Sequence, residues 1–178
     1  MQLRQTTVED IDAAFEIIEQ ARARIADLGI DQWQSGYPDR AVIERDVACA
    51  KSFVVVDDDG AILGTVMLDE EGDPAYDTLI EGAWKTASTS DDPGYLVVHR
   101  VAVGSASAGR GVARYLLSEA ERIAAERGFQ SVRIDTHLGN VPMRGLLEKC
   151  GYSQCGVFLL ANREEPTRER VAYEKIVA

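Results

Sequence analysis

Gly109, Arg110 and Gly111 stand between an apolar β-branched run, Val97–Val103, and a repeat of Val112, Leu116, Leu117, Ala120, Ile123 and Ala124 at helical spacing that Gly128 stops. A strand feeding a glycine-bearing turn, and that turn feeding a helix of about four turns, is an arrangement that binds anions. The first helical turn has backbone N–H groups without internal partners, and the helix dipole places partial positive charge there. Glycines remove the Cβ atoms that would keep a ligand away from those N–H groups. The expected ligand is a phosphate or diphosphate.

Three glycine patterns compete for that segment. Gly104 and Gly109 have the spacing of a P-loop, but Arg110 and Gly111 stand where Lys and Ser/Thr are needed, so nothing serves the β- and γ-phosphates or Mg²⁺. A dinucleotide fingerprint needs a third glycine where Arg114 stands, although Asp135 falls near the distance of its acidic residue. The third pattern fits. Gly109-Arg110-Gly111-Val112-Ala113-Arg114, after a Val-Ala-Val strand, resembles the pyrophosphate loop of the Gcn5-related N-acetyltransferase (GNAT) superfamily. Asp135-Thr-His-Leu-Gly-Asn140, followed by Met143, Leu147, Gly151 and Tyr152, looks like that family's second cofactor motif, in the family's order and at its usual separation. The likeness to small bacterial members is carried further by Ile30–Pro38, His99–Val103 (HRVAV), Arg133–His137 (RIDTH) and Val171–Lys175 (VAYEK).

The resemblance implies acetyl-CoA (coenzyme A) as cofactor and a mixed α/β fold. Its sheet is mostly antiparallel, with helices on both faces and a splayed central strand pair. Backbone groups of Val101, Ala102 and Val103 would pair with the pantetheine arm as a strand edge pairs with a peptide. Gly109 to Arg114 would hold the diphosphate, and Asn140 would touch the cofactor near its pantetheine end. Two positions depart from the family pattern. Ala108 opens the loop signature in place of Arg or Gln, and Leu147 stands where a Tyr often protonates the leaving thiolate.

Acetyl transfer to an amine needs a neutral amine, a polarised thioester carbonyl and a stabilised or protonated thiolate. A thioester is already activated, so Cys150 is not required as a nucleophile. For the base the order is Asp135 or His99, through water, with His137 next; His99 directly precedes the pantetheine strand, His137 follows the next one, and both have a suitable ordinary pKa. Tyr152 and Tyr173 are candidate proton donors. Trp33 and Tyr37, in a turn-rich segment, could equally plug the core or wall a pocket; the family likeness favours the acceptor pocket. Tyr76, Glu81 and Trp84 would close one side of that pocket or cover the sheet. Asn140 has capping as its plain role, which is compatible with cofactor contact.

The expected function is acetyl-CoA-dependent N-acetylation of a primary amine on a small molecule or peptide, by direct attack in a ternary complex. The alternative is a non-catalytic acyl-CoA-binding, sensing module, favoured by Leu147. A nucleotide-binding switch would need Mg²⁺-dependent nucleotide affinity that the loop lacks residues to give.

The chain of 178 residues, 46% apolar, is expected to form one domain spanning residues 1–178. No apolar run approaches the ~18 residues of a membrane span, and no leader precedes the first strand, so a cytoplasmic protein is expected. A formal charge of −11 argues against nucleic acid or anionic membranes as partners and would draw in a cationic amine. Cys49, Cys150 and Cys155 lack paired spacing, so neither a disulfide framework nor a metal site is expected. Pairing of two copies as a homodimer is neither required nor excluded.

Periodicity places a strand at Met1–Gln5, a helix from Val8 to about Leu28 and a second, capped by Asp39, to Ala48. Strands follow at Ser52–Asp57 and Ala61–Leu68, joined by an acidic hairpin turn that is most simply solvated. A short strand is expected within Leu79–Trp84, then the strand Tyr95–Val103 and the helix Gly111–Arg127. Strand Ser131–Thr136, helix Val141–Cys150 and a closing hairpin of Tyr152–Leu160 with Arg168–Val177, looping at Asn162–Pro166, complete the order.

Overall fold

Helix starts along this chain lie where a short acidic or amide side chain can stand in for a missing carbonyl. Asp10 accepts from the Thr7 N–H at 2.8 Å and closes a 3-10 turn, Val8–Asp10, ahead of helix α1 (Ile11–Ala26). The helix expected from Val8 therefore becomes regular three residues later. Asp39 accepts from the Val42 N–H at 2.9 Å and opens α2 (Arg40–Ala48). Helix α3 (Val112–Glu126) follows the glycine turn, and Asn140 accepts from Met143 N at 3.2 Å to open α4 (Val141–Lys149).

The strands are β1 (Gln2–Gln5), β2 (Ser52–Val56), β3 (Ile62–Asp69), β4 (Glu81–Gly82), β5 (Tyr95–Val103), β6 (Ser131–His137), β7 (Ser153–Leu159) and β8 (Glu169–Ile176). The computed structural model describes residues 1–160 and 165–177; most of the expected loop at Asn162–Pro166 lies outside them. The strand order is β1-β2-β3-β5-β6-β8-β7-β4. Pairings β1–β2, β2–β3, β6–β8, β7–β8 and β4–β7 are antiparallel, and β5–β6 is parallel from Tyr95↔Ser131 to Val98↔Ile134. Just past that register Arg100 takes a left-handed backbone, φ 54, which interrupts the extended run of β5. Asp57 folds the acidic hairpin turn by accepting from the Asp59 and Ala61 N–H groups at 3.1 and 2.9 Å; the rest of the turn is exposed.

The chain resolves into two units: Met1–Leu68 with His99–Glu119, and Asp69–Val98 with Ala120–Ala178. In the first, α1 and α2 bury Ala14, Ile17, Ile18 and Ile43 against Val54 and Val56 of β2. Gly64, which registers with Val55, faces the other side and meets Val112 and Leu116 of α3. Helices thus cover both faces there. In the second unit α4 and the end of α3 lie over one face of β8, where Lys175 Nζ reaches Glu121 at 2.6 Å and Arg144 Nε reaches the Tyr173 hydroxyl at 3.1 Å. The opposite face is covered by the irregular segment 69–94, through a cluster of Tyr76, Tyr95, Val97, Phe158, Leu160 and Ala172.

Arg133 of β6 and Glu174 of β8 register with each other on that second face, and neither side chain has any exposure. Arg133 Nε donates to Glu174 Oε1 at 3.1 Å, as do the Ser131 and Thr86 hydroxyls at 2.6 Å. The Lys85 and Thr86 N–H groups donate to Oε2. The remaining guanidinium nitrogens bond the Thr86 and Ser88 carbonyls at 3.0 and 3.1 Å, and the ion stacks on Tyr95 and Trp84. Burial alone pushes the Glu174 carboxyl upward, but the hydrogen bonds from Ser131, Thr86 and Arg133 together hold it below the usual range.

Removing one member of such a pair leaves the other charged and dry. Glu174→Ala is expected to cost about 3–5 kcal/mol in urea unfolding. Arg122→Ala, which deletes the exposed Arg122–Glu126 pair on α3, should change stability little.

Candidate active site

The turn between β5 and α3 is built tightly from the main chain. Gly104 N–H bonds Leu63 O at 2.9 Å, Ser107 N–H bonds Gly104 O at 2.9 Å, and Arg110 N–H reaches Ser107 O at 3.3 Å. Gly109 and Gly111 hold φ values of +75° and +80°, and a Cβ built on either would project into open space. Tyr115 makes the first intrahelical bond, to Gly111 O at 3.0 Å. Helix geometry therefore leaves the Val112, Ala113 and Arg114 amides without an intrahelical acceptor. No acidic side chain stands in that first turn, while Arg110 and Arg114 are exposed beside it. The residues fit a diphosphate group.

Helix α1 steadies this turn from the side. Arg24 donates to the Val103 carbonyl and, at 2.7 Å, to the Ser105 hydroxyl, and Gln20 accepts from the Ser105 N–H at 2.7 Å. Of the strand backbone expected to pair with pantetheine, Val101 to Val103, the Val103 carbonyl is therefore already engaged. Val112 is buried against β3 at Gly64, where a Cβ would stand 2.8 Å from Ala102 O and 2.9 Å from Val112 Cγ1.

A second polar group sits beside this strand. Arg100 makes a two-pronged bond to Asp46, 2.8 and 2.9 Å, and a further bond to the Tyr37 hydroxyl. Burial raises the Asp46 carboxyl, opposed by the Arg100 charge and by His99, which stands close enough to act on it. Tyr37 is thus tied to Arg100. Trp33 is 8% exposed and belongs to the core of α1, α2 and β2; its backbone is left-handed, φ 68°. Of the two roles open to Trp33, the structure gives it the core plug.

Asp135, half-buried on β6, accepts from the Tyr76 hydroxyl at 2.7 Å. Burial first, and then the Asp135 charge, push the Tyr76 phenol well above the ordinary tyrosine value, so it remains a donor. Trp84 Nε1 donates to Tyr76 O at 2.7 Å, so these two aromatics do come together, and Tyr76 of the two reaches Asp135. Glu81 does not. It is exposed on β4, which pairs with β7, and β8 and β7 intervene between it and β6. His137 Nδ1 accepts from the Gly139 N–H at 2.9 Å, a backbone bond that occupies the nitrogen it would use as a base. Asn140 caps α4 as its plain role requires.

Tyr152 and Leu147 are both buried, and Tyr152 N–H bonds Leu147 O at 3.0 Å. The Tyr152 ring lies 5.7 Å from Lys175 Nζ, on the α3–α4 side of the sheet, whereas Asp135 lies on the other side. Burial, reinforced by Glu121, pushes its phenol far up. Tyr173 accepts from Arg144 on the same side. Neither donor candidate shares the face of Asp135. Sequence spacing missed Arg100, Asp46, Arg133, Glu174, Arg24 and Gln20. Arg100, Arg133 and Glu174 nevertheless sit inside the HRVAV, RIDTH and VAYEK segments.

Comparison with known proteins places this fold among the acetyltransferases. The acetyltransferase (GNAT) family model matches residues 18–152, and the chain belongs to that family. A GNAT-family acetyltransferase structure from Streptococcus agalactiae 2603 is 33% identical, with a TM-score of 0.85 over 98% of this chain and 94% of that one. One from Listeria monocytogenes 4b F2365 shares the fold at 15% identity, with a TM-score of 0.72 over 98% and 94% of the two chains. Streptothricin acetyltransferase from Escherichia coli is 30% identical over 69 residues, 39% of this chain and 40% of that protein. The match thus spans about two fifths of that relative's length. No helix among the described residues is long and apolar enough to cross a membrane.

The rest of α3 on Gly64 can be tested. Gly64→Ala must displace backbone or Val112, so it should lose about 1–3 kcal/mol in urea unfolding. Gly145→Ala meets open space within α4 and should instead gain roughly 0.5–1 kcal/mol.

Proposed function

We propose that this acetyltransferase moves the acetyl group of acetyl-CoA to a primary amine of a small molecule or peptide, by direct attack in a ternary complex. The observation that supports it most is the pair of left-handed glycines, Gly109 and Gly111. They open onto the start of a helix whose first turn has no acidic side chain. The Val112, Ala113 and Arg114 amides would hold the diphosphate, with Arg110 and Arg114 adding positive charge. Backbone of Val101 and Ala102 is assigned to the pantetheine arm.

Acetyl-CoA supplies an activated thioester, so the chain need provide no nucleophile. Asp135 serves as the base, accepting the amine's proton directly or through water. Its Oδ1 is held by the Tyr76 hydroxyl. His99 is the second choice, and the backbone bond at Nδ1 lowers His137 below both. Leu147, fully buried and aliphatic, gives no proton, so water is assigned to the departing thiolate. A net charge of −11 favours a cationic amine over an anionic acceptor.

Calorimetry should show heat with both acetyl-CoA and free coenzyme A, and Gly109→Val should weaken both, since its side chain enters the space the ligand would fill. Coenzyme A release should rise with primary amines. Asp135→Asn should lower that rate by about a hundredfold or more with acetyl-CoA affinity held. Wild-type turnover in Asp135→Asn would remove that residue as the base.

A further inference from the structure

Segment 69–94 is fastened to the face of β6 and β8 at two places. The first is the polar group around Glu174, which takes the Lys85 and Thr86 N–H groups. The second is Tyr76, whose hydroxyl bonds Asp135. Trp84 joins the two: its ring lies under the Arg133 guanidinium at 4.3 Å, and its indole N–H bonds the Tyr76 carbonyl at 2.7 Å. A continuous run of contacts leads from a fully buried ion pair to the carboxylate assigned as base.

Tyr76 has no exposed surface. Its ring packs 5.2 Å from Trp84, 5.2 Å edge-on to Phe158 and 6.4 Å from Tyr95. A ring in that position cannot wall a pocket for an acceptor. We propose that Tyr76 is a positioning residue that acts through Asp135, holding its carboxylate in one orientation. The inference rests on Asp135 being the base. An aspartate on a strand keeps a soft, roughly two-fold χ2 torsion, and a hydrogen bond to one oxygen removes that freedom. The donor is itself held by the segment's attachment to Arg133 and Glu174.

A double-mutant cycle tests this: wild type, Tyr76→Phe, Asp135→Asn and both together. The readout is coenzyme A release from acetyl-CoA, with water and with a lysine-containing peptide as acceptors. Tyr76→Phe should lower kcat about tenfold while KM for acetyl-CoA and Tm stay near wild type. In the Asp135→Asn background the same change should cost less than about twofold, because the base through which Tyr76 acts is already gone. Losses that multiply in the double variant would overturn the inference, as would a fall in Tm with kcat unchanged. Wild-type turnover in Asp135→Asn removes the base assignment itself. A slow Asp135→Asn beside a full-rate Tyr76→Phe removes only the role of Tyr76. A crystal structure of Tyr76→Phe gives an independent reading. The Asp135 carboxylate should be rotated or split between orientations, and an unmoved one contradicts the proposal.

Discussion

A guanidinium and a carboxylate withdrawn wholly from water must have their polar atoms satisfied by protein, because the loss of hydration exceeds what their mutual attraction returns. Arg133 and Glu174 meet that demand by recruiting main chain. Glu174 draws in the N–H groups of Lys85 and Thr86, and Arg133 takes the carbonyls of Thr86 and Ser88. The consequence is architectural. A segment with one two-residue strand and little other regular structure is held against the sheet by these bonds. Trp84 and Tyr76 inherit their positions from that attachment.

The first unit solves a related problem differently. Arg100 takes a left-handed backbone within β5, and its side chain binds Asp46 of α2 and Tyr37 of the preceding turn. Arg24 and Gln20 of α1 hold the chain where β5 leaves for the glycine turn. The cradle at α3 therefore owes its shape to two kinds of constraint. One is the steric fit of Val112 and Leu116 over Gly64, which has no room for a side chain. The other is a polar brace from α1 that leaves the following amides to the helix start.

What the sequence revealed was local in origin. Asp39 and Asn140 cap helices through bonds spanning three residues, and the Asp57 turn closes within four, so spacing alone exposed them. The glycine turn was equally plain, since main-chain chemistry needs only the right omissions. The hidden parts depend on partners far along the chain: Arg133 lies 41 residues from Glu174, and Arg100 lies 54 from Asp46. Trp33 belongs to a core whose other members, from Ala14 to Ala102, come together only in the fold. Glu81 looked like a pocket carboxylate because the close crossing of Gly82 and Gly156, which sends β4 to the far edge of β7, is not written in local periodicity.

These differences follow from how each end of the proposed reaction is served. A diphosphate asks for amides, and amides are present in every residue; glycine and the absence of acidic side chains are enough to offer them. Proton removal asks for one carboxylate oxygen in one orientation, which a side chain on a strand does not provide alone. Here the orientation descends through Tyr76 and Trp84 from the Arg133–Glu174 pair, each link a contact between distant segments. Arg100, Arg133 and Glu174 lie within the very segments that marked the family likeness. Those segments therefore hold ionic supports around the chemistry as well as His99 and Asp135, which would perform it.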